Sequence, residues 1–119
     1  MTDNPLALII EDDADLATIF ADALQAAQFT TEIISDGAVA QARLQEVVPR
    51  CVVLDLHLPE VSGEVLLKQI RSTPALARTR VVIASADPIT SELLSADSDL
   101  VLIKPVSFGQ LRDFAQRLR

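Results

Sequence analysis

The chain is poor in the residues that usually crosslink or stiffen a small domain. Of its 119 residues one is cysteine, three are glycine and four are phenylalanine, and tryptophan and tyrosine are missing. A single thiol, Cys51, cannot form an internal disulfide; this excludes a disulfide scaffold and fits a reducing cytoplasm. With so few aromatics, the core has to be built from Leu, Val, Ile and Ala. Bases are outnumbered as well: 10 Lys and Arg against 17 Asp and Glu give a formal charge of −7. That excess repels nucleic acid and anionic lipid, so binding to either through bulk charge is not expected. No uncharged apolar run comes near the ~20 residues that span a bilayer. Residues Met1 to Pro5 lack the basic-then-apolar order of a secretion signal, so a cytoplasmic protein outside the membrane is expected. What the chain does have is aliphatic sequence. Half of it (50%) is hydrophobic and 23% is charged, enough for one buried core in a single domain over residues 1–119, with the core at about 5–118.

Short apolar runs alternate with amphipathic stretches along the whole chain. Leu6 to Ile10 is continuously apolar and ends in Glu11, Asp12 and Asp13, the pattern of a strand buried on both faces. Leu16, Ile19, Phe20, Ala23, Leu24 and Ala27 then recur at helical spacing, with Asp13 or Asp15 as cap. Thr30 to Ile34 reads as a more polar strand. The turn Ser35 to Gly37 leads to a second helix through Ala40, Leu44 and Val47, expected to stop at Pro49. Cys51 to Leu54 is another buried strand, ending at Asp55. Past the loop containing Pro59, Ser62 caps a helix carrying Val65, Leu66, Leu67 and Ile70. Val81 to Ala84 ends at Ser85; Pro88 breaks the chain, and Thr90 begins a short helix through Leu93 and Leu94. Leu100 to Ile103 is closed by Lys104 and Pro105. Ser107 and Gln110 have capping-box spacing before a last helix whose apolar face is Phe108, Leu111, Ala115 and Leu118. Five such β–α units force parallel strands, because each helix returns the chain to the same edge. The expected fold is α/β: a doubly wound five-stranded parallel sheet with helices on both faces.

Ligands of such sheets bind beyond the carboxyl ends of the strands. Those ends here are Glu11, Asp12 and Asp13, then Asp55, Ser85 and Lys104. If the first and third strands are neighbours, several carboxylates meet. Two like charges ~4 Å apart repel by about 1 kcal/mol in water and about 4 at an effective dielectric of 20. A cluster of this kind is tolerated when a cation sits in it, and hard carboxylate oxygens suit Mg²⁺. With a hydroxyl and an ammonium on the same rim, the set reads as a site for phosphoryl transfer. Asp55, framed by Val52 to Leu56, is a candidate nucleophile that becomes an acyl phosphate.

Four segments now stand in order: Leu8 to Asp13 (LIIEDD), Val53 to Pro59 (VLDLHLP) with Gly63 following, Val82 to Ala86 (VIASA), and Ile103 to Pro105 (IKP). Together they resemble the receiver domain of bacterial response regulators, the CheY-like family of two-component signal transduction, over essentially the whole chain. The resemblance implies a flavodoxin-like (βα)5 receiver fold and assigns roles. Asp55 resembles the phosphoacceptor. Asp12 resembles the direct Mg²⁺ (or Mn²⁺) ligand, with Asp55 also on the metal, Glu11 acting through water and the backbone carbonyl of His57 completing the set. Ser85 would hydrogen-bond the phosphoryl group, and Lys104 would pair with the Asp55 carboxylate and then with a phosphate oxygen. Pro59 and Gly63 shape the nearby loop, and the Lys104–Pro105 bond would be cis. The donor would be a sensor histidine kinase, a histidine phosphotransfer protein or a small acyl phosphate. The downstream target would read the Thr90–Leu94 segment, the fifth strand and the last helix. A monomer or weak homodimer is expected, and no enzymatic turnover beyond phosphorylation and dephosphorylation of itself.

Departures from the family pattern are Glu11 for the commoner Asp, Ser85 for Thr, and Val101 three residues before Lys104, where many receivers carry Tyr or Phe. A valine cannot make the inward rotation of that aromatic. Asp13 and Asp15 read as helix caps, Cys51 as a small core residue, and the His57 side chain as a loop imidazole that is neither ligand nor base. Asp87 either influences dephosphorylation or starts a turn. Three other functions compete. An aspartyl-phosphate hydrolase would want a second acid two residues after Asp55, where His57 stands. A flavodoxin-like cofactor binder would want a glycine- and hydroxyl-rich loop where Glu11 to Asp13 stand. A non-phosphorylated pseudo-receiver would not need all five site residues.

Overall fold

The computed structural model describes residues 4–87, 92 and 95–118. The expected break at Pro88 and the helix from Thr90 to Leu94 lie outside the described residues. Five strands are present: β1 (Leu6–Ile10), β2 (Thr30–Ile34), β3 (Cys51–Asp55), β4 (Arg80–Ser85) and β5 (Leu100–Ile103). Between and after them lie the described helices α1 (Ala14–Ala26), α2 (Gly37–Arg43), α3 (Gly63–Ser72) and α4 (Phe108–Leu118). All strand pairs are parallel, in the order β2-β1-β3-β4-β5. The chain therefore starts in the sheet's interior, winds to one edge, and returns to the other side of β1. The β1/β3 boundary is where the winding reverses, the place where this class of sheet leaves a crevice at its carboxyl edge. Among the described residues no helix is long and apolar enough to cross a membrane.

The continuous apolar runs of β1 and β3 are buried because both faces of the sheet are covered. Ala7, Ile9, Cys51 and Val53 pack with Phe20, Ala23 and Leu24 of α1 and Leu111 and Ala115 of α4. Leu8, Ile10, Val52 and Leu54 face the other way, against Ala40 and Leu44 and against Leu66, Leu67 and Ile70 of α3. Cys51 is fully buried, and burial pushes its thiol up to about 12.

Helix faces and ends depart from the sequence pattern in several places. Ile19, Val65 and Phe108, expected in the core, are each more than two-fifths or about two-fifths exposed, at 42%, 47% and 40%. Ala17 and Ala21 take the buried side of α1, and Phe114 packs where Phe108 was expected. The apolar stripe of a helix can be wider than its contact with the sheet, so the flanking apolar residues remain in water. Asp13, not Asp15, caps α1: its Oδ1 accepts the amides of Asp15 and Leu16 at 3.0 and 3.1 Å. Helix α2 ends at Arg43, well before Pro49. The chain loosens there through i→i+3 bonds, with the amides of Gln45 and Glu46 donating to Ala42 and Arg43. At the end of α1, Gln28 takes φ 69° while its amide donates to Gln25 and that of Phe29 to Leu24. This is a Schellman ending made without glycine.

Two glycines are needed for close approach. A Cβ on Gly63 would fall onto the carbonyl oxygen of Asp55 and lie 2.7 Å from Leu56 Cα; one on Gly37 would fall onto the carbonyl oxygen of Val61. Gly63→Ala is accordingly expected to cost roughly 1–3 kcal/mol, as overpacking does, seen as a lower urea midpoint. Cys51 is expected to resist iodoacetamide in the native protein and to alkylate fully once urea unfolds it, measured by intact mass.

Candidate functional site

Four of the five strands, β1, β3, β4 and β5, deliver polar side chains at the carboxyl edge. Glu11 follows β1 directly, and its amide bonds to Ile34 O of β2 at 3.0 Å, which extends the ladder by one residue. Asp55 is the last residue of β3 and pairs in register with Ala84 of β4. Ser85 ends β4 and pairs with Ile103 of β5, so Lys104 comes one residue beyond; the Lys104 amide bonds to Ser85 O at 2.9 Å. The Lys104–Pro105 peptide is cis.

The parallel sheet turns residues distant in sequence into one cluster. Glu11, Asp12 and Asp55 each offer a carboxylate oxygen, and these oxygens all lie within 4.8 Å of one another. Glu11 and Asp55 are buried, at 1% and 4% exposure, whereas Asp12 is open to solvent. Lys104 Nζ lies 2.8 Å from Glu11 Oε1 and 3.6 Å from Asp55 Oδ1. The lysine, expected on Asp55, contacts both carboxylates and is closer to Glu11. Burial pushes the Glu11 carboxyl up to about 7; Lys104 opposes the shift and Asp55 adds to it. Burial works against the charge of Lys104, yet Glu11 and Asp55 together raise its pKa above the usual value.

The other expected residues stand around this group. His57 is exposed, and its amide donates to Asp55 Oδ1 at 3.2 Å. Ser85 is fully buried, and its Oγ accepts the amide of Asp87 at 3.0 Å, which closes a turn over residues 85–87. Pro59 lies in the β3–α3 loop, where its carbonyl accepts the amides of Gly37 and Val61 at 3.1 and 2.9 Å. Gly63 closes that loop by donating to Leu56 O at 3.1 Å. Glu60 in the same loop takes φ 70°. Asp13 is turned away from the cluster into its capping role.

Sequence reasoning passed over Gly37. It supports the loop after Asp55 from a different helix, and its only sequence signal, a glycine after a capping Asp36, reads as an ordinary helix start. Three carboxylates against one ammonium leave an excess of negative charge in hard oxygen donors, which fits a small divalent cation of the Mg²⁺ or Mn²⁺ kind.

The chain is similar to known proteins in sequence and in fold. The family model for the response regulator receiver domain matches residues 7–116. The phosphate regulon transcriptional regulatory protein PhoB of Rhizobium meliloti is 32% identical over 110 residues, which are 90% of this chain and 48% of that protein. The sensor histidine kinase TmoS of Ectopseudomonas mendocina is 30% identical over 114 residues, 93% of this chain and 12% of the kinase. The chain therefore spans less than half the length of either relative. Among solved structures, a CheY-like receiver domain from Methylobacillus flagellatus superposes with a TM-score of 0.85 at 26% identity, covering 98% of this chain and 99% of that one. The receiver domain of the sensor kinase PA1611 of Pseudomonas aeruginosa, which holds a magnesium ion in its active site cleft, gives a TM-score of 0.85 at 20% identity, with 97% of each chain covered. That last likeness is one of fold. With a family match across nearly all of its length and a shared doubly wound sheet, the chain belongs to the response regulator receiver domains of two-component signalling.

Proposed function

We propose that the chain accepts a phosphoryl group on Asp55 from a phosphohistidine donor, a sensor histidine kinase or a histidine phosphotransfer protein, in a Mg²⁺-dependent reaction in the cytoplasm. The observation that carries this reading is the meeting of Glu11, Asp12 and Asp55 within 4.8 Å beside Lys104. The His57 amide and the Lys104 ammonium both approach Oδ1 of Asp55, so they orient the carboxylate and leave Oδ2 as the oxygen that attacks. The donor's N–P bond breaks as the O–P bond forms, and the departing imidazole takes up a proton. Asp12, Asp55 and the His57 carbonyl would hold the metal directly and Glu11 through water. When bound, Mg²⁺ offsets the charge of the carboxylates and of the phosphoryl oxygens brought against them. Lys104 and the Ser85 hydroxyl supply donors to those oxygens. The Ser85 hydroxyl, whose oxygen accepts the Asp87 amide, keeps its own O–H free to donate to the phosphoryl group.

The chain acts in this reading as a signalling phosphoacceptor with no substrate turnover. A hydrolase of the aspartyl-phosphate type lacks its second acid, since His57 occupies that position and faces solvent.

Mg²⁺ with beryllium fluoride, a stand-in for the acyl phosphate, should raise the melting temperature and shift the amide resonances of residues 55–57 and 85–87. Saturation at about 100 times the dissociation constant corresponds to about 2.7 kcal/mol. Both components are required, and Asp55→Asn abolishes the response; steady turnover of a generic phosphate ester would instead establish the hydrolase. In chelator, Asp12→Asn is expected to be more stable than the parent by on the order of 0.5–1 kcal/mol, because it removes one screened like charge. The same variant loses the stabilisation by Mg²⁺ in thermal melts.

A further inference from the structure

The end of the sheet opposite the acidic rim carries the other sign of charge. The starts of β1, β3 and β4 and the end of α4 frame a groove of about 500 Å³, lined chiefly by Leu6, Val48, Arg50, Arg78, Arg80 and Arg117. Four of the ten basic residues of a chain with formal charge −7 thus line one concavity, and among the described residues no carboxylate lines it. All four arginines are exposed. Arg80 is engaged by Asp99, with Nη1 3.0 Å from Oδ1, and Arg50 donates Nη1 to the Leu118 carbonyl at 2.9 Å. Arg78 and Arg117 make no side-chain ion pair among the described residues, and Arg50 meets only that neutral carbonyl. Val48, beside them, is 65% exposed, the most exposed large apolar side chain described.

Grouping like charges is unfavourable unless an anion shares the space. Guanidinium forks match carboxylates and phosphates alike. The groove is not enclosed but open to solvent, which separates the two. A small anion there would stay mostly in water, whereas ligands in small-molecule sites bury most of their surface. An extended polypeptide can set carboxylates against several arginines at once and cover Val48 with an aliphatic side chain.

We infer that this groove docks an acidic segment of a partner protein, its carboxylates on Arg50, Arg78 and Arg117 and an aliphatic side chain against Val48. The groove lies about one strand length, ~16 Å, from Asp55, so docking there leaves the phosphoryl site open. The inference is independent of the phosphoacceptor reading.

A fluorescently labelled peptide of alternating Glu and Leu, titrated with the chain and followed by anisotropy, tests this. Saturable binding that weakens as salt is raised is expected, reduced about tenfold or more by Arg78→Glu with Arg117→Glu. Arg112→Glu, a charge reversal on α4 outside the groove, should leave it unchanged, and urea midpoints confirm that each variant is folded. Absence of saturable binding, or equal loss with Arg112→Glu, overturns the inference. So does tripolyphosphate displacing the peptide with equal or higher affinity, which would make the groove a small-anion site.

Discussion

Glu11 is a carboxylate almost wholly removed from water, and Lys104 is the cation brought to it. Leaving either partner buried alone would be strongly unfavourable, by about 3–5 kcal/mol for a typical buried pair. The two residues come from opposite ends of the chain, and β3 and β4 lie between their strands in the sheet. The lysine has to reach over the tip of β4 to meet Glu11 and Asp55. That tip consists of Ala84, Ser85 and Ala86. The order of the strands thus sets the reach of this ionic contact.

Around that contact the loops are held by backbone more than by side chains. Pro59 accepts the amide of Gly37, Gly63 donates to Leu56, and His57 gives its amide to Asp55. Helices α2 and α3 both begin against the β3–α3 loop, with Asp36 and Ser62 as caps. The carboxylate of Asp55 is thereby fixed by a rigid frame, while the exposed His57 and Asp12 leave an approach from solvent. Preorganisation of this type lets a site rely on position and charge with few catalytic groups.

The molecule is polarised along its strands. Carboxylates collect at the carboxyl edge, and arginines collect at the amino edge, where Arg71 and Arg80 share Asp99. Arg71 also donates to the carbonyls of Asp97 and Thr79, tying the end of α3 to the entries of β4 and β5. The two edges belong to different surfaces, so a domain engaged at one leaves the other accessible.

Much of this was legible in the order of residues. Runs such as Leu6 to Ile10 and Cys51 to Leu54 are apolar without alternation, and only a strand covered on both faces accommodates them. Acids, a hydroxyl and a lysine at the ends of such runs name the site's members, since a parallel sheet presents all its carboxyl ends on one edge. What local pattern could not settle was anything decided by neighbours distant in sequence. Ile19, Val65 and Phe108 have helical spacing but lie at the exposed flanks of their helices. Gly37 looks like a helix start until Val61 is seen against it. Lys104 stands closer to Glu11 than to Asp55, a geometry that belongs to the packed molecule. The identities of the charged groups are thus a property of the sequence. Which of them pair, and which are left facing water in a groove of arginines, is set by the strand order that brings their ends together.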